Sequence, residues 1–216
     1  MTPLYGPRGI ERAWEGMTAV VIGGGPSLSL KQVRHVAKAR LHDRCRVIAV
    51  NDACFLSWGW ADWLHACDAK WWLWHPEAAL FPGTKTTMEK EELTKASAGF
   101  EEVLPIRNAG IEGFEEDPSA VKNGRNGGYQ ALHLAAHAGA SRVILLGIDM
   151  KAAPGKQQWF GMHPNLVGVD YETAMLPYWN SIVEPLKLRG ISVLNCSPAS
   201  ALKCFPEAEV EAALPL

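Results

Sequence analysis

Apolar residues are distributed along the chain in two alternating arrangements. Short unbroken runs at TAVVI (18–22), RVIAV (46–50), RVILL (142–146) and 191–195 read as strands buried on both faces. After the first run, Leu30, Val33, Val36 and Ala37 recur at helical spacing as far as Arg40. An alanine-rich helix follows the turn NGRNGGYQ and closes at Gly139, and another helix is predicted over about 171–189. A third strand lies in DWLHACD and ends at Asp68. From about 82 to 125 the pattern becomes polar and irregular, with a short helix at EKEEL and a strand at EEVLPIRN. This alternation predicts an α/β, Rossmann-like fold: a mainly parallel sheet with helices on both faces and a lid-like loop at about 151–170. In such a sheet ligands sit beyond the carboxyl ends of the strands, so Gly23–Ser27, Asn51, Asp68 and Asp149 are expected to converge on one crevice.

Composition narrows the class. A chain of 216 residues, 48% hydrophobic, is long enough for one sizeable core, so residues 1–216 are expected to form a single compact domain. With 21 Lys and Arg against 23 Asp and Glu, there is no global field to steer a polyanion, and nucleic-acid binding would need a local patch. Cys45, Cys54, Cys67, Cys196 and Cys204 never form a C-x-x-C pair, which argues against a zinc cage or disulfide framework and fits a reducing cytoplasm. The N-terminus has no apolar signal-like core, and no stretch reaches the roughly 18 apolar residues of a membrane span. A cytoplasmic location is therefore expected.

The chemistry is concentrated at the turns. In TAVVIGGGPSLSL a strand ends in Gly23, Gly24 and Gly25, which let the backbone approach a ligand, and the following helix start favours phosphate. Pro26 suits the first helical turn, and Ser27 serves as a cap or a hydroxyl donor. No Lys-Ser/Thr pair follows, which excludes a Walker P-loop, and the third glycine of a dinucleotide fingerprint would fall at Leu28. A merely tight turn is the plain alternative. Asn126, Gly127 and Gly128 repeat the logic at a second helix start, where ordinary Asn-Gly turn chemistry competes with ligand binding. His133 and His137 share a helix face, but the glutamate of a metalloprotease helix is missing between them, and no metal site is assigned. Six of the nine tryptophans cluster in WGWADWLHACDAKWWLWH, as core or partner surface in preference to a base-stacking platform. His163, in the lid segment, is the candidate general base, against the alternative of an ordinary loop histidine.

VVIGGGPSLSL, VIAVND, GGYQALHLAAHAGASRVILLGIDM, HPN and NCSPASALKCF together resemble the bacterial sialyltransferases of lipooligosaccharide synthesis. They resemble more closely a broader group of motility-associated glycosyltransferases and hydroxymethylpterin pyrophosphokinases with many phage-encoded members. That resemblance implies nucleotide contacts at Gly23, Gly25, Pro26, Ser27, Asn51, Asp68, Asn126, Gly127 and Gly128, and a general base near His163. The chain departs from the sialyltransferases at Gly24, at Gly127-Gly128 and near Gln130, positions that serve phosphate release and sialic acid there. The expected function is a glycosyltransferase-like enzyme using a nucleotide-activated sugar donor. Two alternatives stand beside it. One is a pyrophosphokinase or nucleotidyl-type transferase with Mg²⁺ held by Asp68 and Asp149, the only reading that brings in a cofactor; the other is a non-catalytic nucleotide-binding module. The acceptor, a glycan or a modified nucleic acid, and the oligomeric state are left open.

Overall fold

The computed structural model describes residues 4–6, 8–162 and 169–216. Seven strands pair in one sheet: β1 (Thr18–Ile22), β2 (Arg46–Val50), β3 (Trp63–His65), β4 (Thr84–Thr87), β5 (Leu104–Pro105), β6 (Arg142–Leu146) and β7 (Ser192–Asn195). Every pairing is parallel, and the spatial order is β7-β6-β1-β2-β3-β4-β5. The helices are α1 (Leu30–Leu41), α2 (Ala69–Trp74), α3 (Lys90–Ala96), α4 (Gly127–His137), α5 (Asn180–Leu188) and α6 (Val210–Ala213). The fold is thus an α/β, Rossmann-like sheet.

Alternation along each strand divides the core in two. Val20, Ile22, Val47, Ala49 and Leu64 face Val33, Val36 and Ala39 of α1 and Val210 and Ala213 of α6. Ala19, Val21, Ile48, Val50, Val143 and Leu145 face Leu132 and Ala135 of α4 and Ile182 and Leu186 of α5. A strand buried on both faces favours apolar residues at successive positions, which is why these runs read so clearly. Among the described residues no helix is long and apolar enough to cross a membrane, and all five cysteines are unpaired.

Two expectations need correction. The helix expected over 171–189 begins only at Asn180, because Leu176–Trp179, with Pro177 at its start, forms a tighter 3₁₀ turn ahead of it. Thr84–Thr87 is a strand that no apolar pattern announces. Its polar side chains are buried yet satisfied. Thr86 Oγ1 accepts from Trp63 Nε1 at 2.8 Å and pairs with His65 Nδ1 at 3.0 Å, while Lys85 Nζ donates to the Phe81 carbonyl at 2.9 Å. His65 Nε2 lies 2.8 Å from Gln130 Oε1, which ties the sheet to α4.

His133 and His137 belong to this packed interior. The His133 ring stacks on Phe114 at 4.2 Å and its Nε2 accepts from the Glu115 amide at 2.9 Å, while His137 Nε2 lies 3.0 Å from the Ala120 carbonyl. Burial pushes His133 down to about 3, with His137 adding to the effect, and pushes His65 down to about 4. Both rings stay neutral in the fold while the unfolded chain takes up protons from about pH 6.5 downward. The stability they contribute is therefore present above pH 6.5 and lost as pH falls toward 4. Urea unfolding should show a loss on the order of 1 kcal/mol per pH unit for each histidine across that window. His133→Phe, which keeps the stack on Phe114, should flatten the slope; an unchanged slope would remove His133 from the account.

Candidate functional site

The sheet reverses its strand order between β1 and β6. Ile22 pairs with Leu146, so both strands end flush and Gly23 lies beside Gly147. Crevices of open α/β sheets form at such a switch point. Here the crevice is a cavity of about 280 Å³, at the small end for ligand sites. Its wall includes Gly23, Gly24, Gly25 and Pro26 after β1, Asn51 after β2, Asp68 after β3, Asn126, Gly127 and Gly128 at the start of α4, and Asp149 after β6. All the nucleotide-site residues selected from sequence line it except Ser27, which stands behind the wall. Ser27 donates to Asp149 Oδ2 through its hydroxyl at 3.0 Å and its amide at 3.3 Å. His163 lies outside the described residues.

The glycines answer to close packing within the protein as well as facing the cavity. A side chain on Gly25 would place Cβ 1.9 Å from Asp149 Oδ2 and 2.6 Å from the Gly147 carbonyl. On Gly23 it would meet Ile148 at 2.5 Å, on Gly128 again Ile148 at 2.6 Å, and on Gly127 Val50 at 2.7 Å. These positions are glycine so that two strand ends and a helix end can close on one another. At Gly24 the obstacle is the end of a longer, more flexible side chain, Gln158 Oε1 at 2.3 Å.

The amides are also less bare than the sequence suggests. Gly23 donates to the Leu146 carbonyl at 2.7 Å, Gly25 to Gly147 at 2.8 Å, and Leu28 to Gly25 at 3.1 Å. Pro26 is not in the first helical turn, because α1 starts at Leu30 with Ser29 as its cap. Ser29 and Gln32 form a capping box: the Ser29 hydroxyl accepts the Gln32 amide at 3.3 Å and Gln32 Oε1 accepts the Ser29 amide at 3.0 Å. That S-x-x-Q spacing was present in the sequence as a signal. At α4, Asn126 Oδ1 accepts the amides of Gly128 and Tyr129 at 2.9 and 3.2 Å. Among the described residues the amides of Gly24 and Gly127 keep no backbone or side-chain partner, and both residues line the cavity. An anion there would meet two donors and the positive end of α4.

Backbone strain gathers at the same place. Asn51 and Met150, both on the wall, hold φ of 51°, and Arg125 next to the cavity holds 53°. Asparagine tolerates this region better than most residues, which suits Asn51 to its strand end. Burial pushes the Asp149 carboxyl above the usual range, opposed by its Ser27 hydrogen bonds and by Lys151 and Lys156. Asp68 is raised as well, first by the protein around it and then by Glu89.

On the opposite wall, sequence reasoning raised the tryptophans only as a cluster, preferring core or partner surface, and missed Lys70. Lys70, Trp71 and Trp74 of α2 line the cavity, with the Lys70 ammonium 5.0 Å from the Trp74 ring centroid and Trp71 Nε1 donating to Asp52 at 3.2 Å. Position carried the signal: a helix starting directly after Asp68 must begin at the crevice. The tryptophan cluster itself divides, since Trp63 and Trp72 are wholly buried while Trp58 is 39% exposed. Gln157, Gln158 and Tyr171 also line the cavity. The segment before the undescribed residues is anchored to the opening turn, with the Trp159 amide on the Gly24 carbonyl at 2.8 Å and Lys156 Nζ on the Pro26 carbonyl at 2.9 Å.

Fold and cavity together define an α/β protein with a cleft at its topological switch point. Comparison with family models, with curated proteins and with solved structures finds no match.

Proposed function

We propose that the chain is a nucleotide-binding transferase of glycosyltransferase-like type, holding a nucleotide-activated donor in the switch-point cavity. The observation that carries this reading is the convergence on one wall of residues chosen from four separate strand ends and one helix start. The unpaired amides of Gly24 and Gly127 suit phosphate oxygens, and Lys70 and Lys151 on the wall supply positive charge. Trp74 on the same wall offers an aromatic ring to a base. Attachment to the motility-associated glycosyltransferase and pyrophosphokinase group is part of the proposal, as is His163 as base, and both rest on the resemblance of the motifs.

A second reading, a Mg²⁺-dependent nucleotidyl or phosphoryl transferase, draws on Asp52, Asp68 and Asp149 in the same wall. Among the described residues no three His, Cys, Asp or Glu side chains are grouped to hold a metal by themselves. The donor set therefore fits Mg²⁺ only as a shared ion, with Asp68 or Asp149 as protein ligands and nucleotide phosphates supplying the rest.

A thermal-shift panel of CMP, UDP, GDP, ADP and ATP and their sugar conjugates, with and without Mg²⁺, tests both. At least one nucleotide should raise Tm without metal; a shift seen only with Mg²⁺ moves the assignment to the second reading, and no shift at all sinks both. With the best ligand, Asn51→Gly keeps the left-handed backbone free of strain and removes the carboxamide. It should weaken binding by roughly 1–2 kcal/mol at unchanged stability. Full affinity in that variant would take Asn51 out of the site.

A further inference from the structure

A second cavity, of about 300 Å³, adjoins the first and shares Asn51, Asp68, Asn126 and Gly127 with it. The rest of its wall is chiefly polar, with Glu89, Asn108, Asn123 and Arg125 and no tryptophan. Local turns fix how the carboxamides lie. Asn108 Oδ1 accepts the Gly110 amide at 3.0 Å, Asn123 Oδ1 the Arg125 amide at 2.9 Å, and Asn126 Oδ1 the amides that start α4. With each oxygen already engaged and the Asn126 NH₂ turned to Met175 Sδ at 3.8 Å, the NH₂ ends of Asn108 and Asn123 are the donors left for a ligand. Acceptors come from the two carboxylates. Glu89 is held in place by the Ala69 amide at 2.8 Å, and Asp68 stands on the wall common to both cavities.

A wall of paired amide donors and carboxylate acceptors suits a group that donates and accepts at once, which is the hydroxyl. Phosphate or carboxylate would be brought against Asp68 and Glu89 with only Arg125 to compensate. We infer that the second cavity is the acceptor subsite and takes a neutral saccharide, its hydroxyls donating to Asp68 and Glu89 and accepting from Asn108 and Asn123. This assignment rests on the nucleotide reading of the first cavity. Because Asp68 belongs to both walls, an acceptor hydroxyl bonded to it lies next to the occupant of the first cavity. Asp68 here is a binding and positioning group. The Cys67 thiol, also on this wall, is pushed up to about 12, first by burial and then by Asp68, and stays protonated beside it.

Saturation-transfer NMR on the full chain tests the inference, with methyl β-lactoside as the neutral probe and glucose 6-phosphate as its anionic counterpart. Nucleotide binding is measured on the same samples. Lactoside resonances should be saturated and those of glucose 6-phosphate much less so. Asn108→Asp and Asn123→Asp keep an oxygen for the turn amide while removing the NH₂ donor. Each should weaken lactoside binding about fivefold or more, with nucleotide affinity unchanged. A chain that binds nucleotide but gives no lactoside transfer, or prefers glucose 6-phosphate, or is indifferent to both substitutions, overturns the acceptor assignment alone. Failure of nucleotide and lactoside together overturns the parent reading and this one with it.

Discussion

Gly25→Val is expected to cost about 3 kcal/mol of stability or more, and to prevent folding if the margin is small. Its Cβ would lie within covalent range of Asp149 Oδ2 and well inside contact distance of the Gly147 carbonyl. Relief requires moving a buried carboxylate off its two Ser27 donors or parting the ends of β1 and β6. Gly24→Ala is the paired control. Gly24 does not hold a positive φ, and the one obstacle is the tip of Gln158, so the alanine variant should stay within about 1 kcal/mol of the parent. Urea melts of the two variants decide the matter, and a Gly25 variant that melts like the parent would mean that the strand ends can separate freely.

The second large effect concerns turnover. Replacing His163 by asparagine should lower kcat by about 10²–10⁴-fold with donor affinity nearly unchanged, if its imidazole takes the proton from the acceptor hydroxyl. The parent rate should also fall in acid, because imidazolium has no lone pair to accept that proton. His133→Phe is the control, since His133 is packed against Phe114 in the interior. Full turnover in the His163 variant, measured with an identified donor and acceptor, would favour the metal-dependent reading.

The parts of the fold that were legible are those where one physical requirement dominates. Thr18–Ile22, Arg46–Val50 and Arg142–Leu146 are strands over the residues expected, because a strand covered on both faces takes an apolar side chain wherever no partner satisfies a polar one. Thr84–Thr87 was illegible because its burial is balanced by hydrogen bonds from residues distant in sequence, Trp63 and His65 among them. The candidate wall was legible at strand ends, where topology alone brings Asn51 and Asp68 to the crevice. The close packing on the glycines was not. Whether a glycine makes room for a ligand or for another strand depends on what stands opposite, and Gly147, Ile148 and Val50 stand opposite here.

The strand order also governs how the chain can assemble. β1 is bordered by β2, which begins at Arg46, and by β6, which begins at Arg142. One side of β1 can pair soon after it is made; the other keeps its N–H and C=O groups open until more than a hundred further residues have been synthesised. Contacts this distant in sequence slow folding, and an unpaired apolar edge invites association with other chains in the meantime. The cleft cannot close before β6 arrives, so the ability to bind ligand comes late on the folding path, and truncations that end before Arg142 should yield an aggregating chain with no cleft.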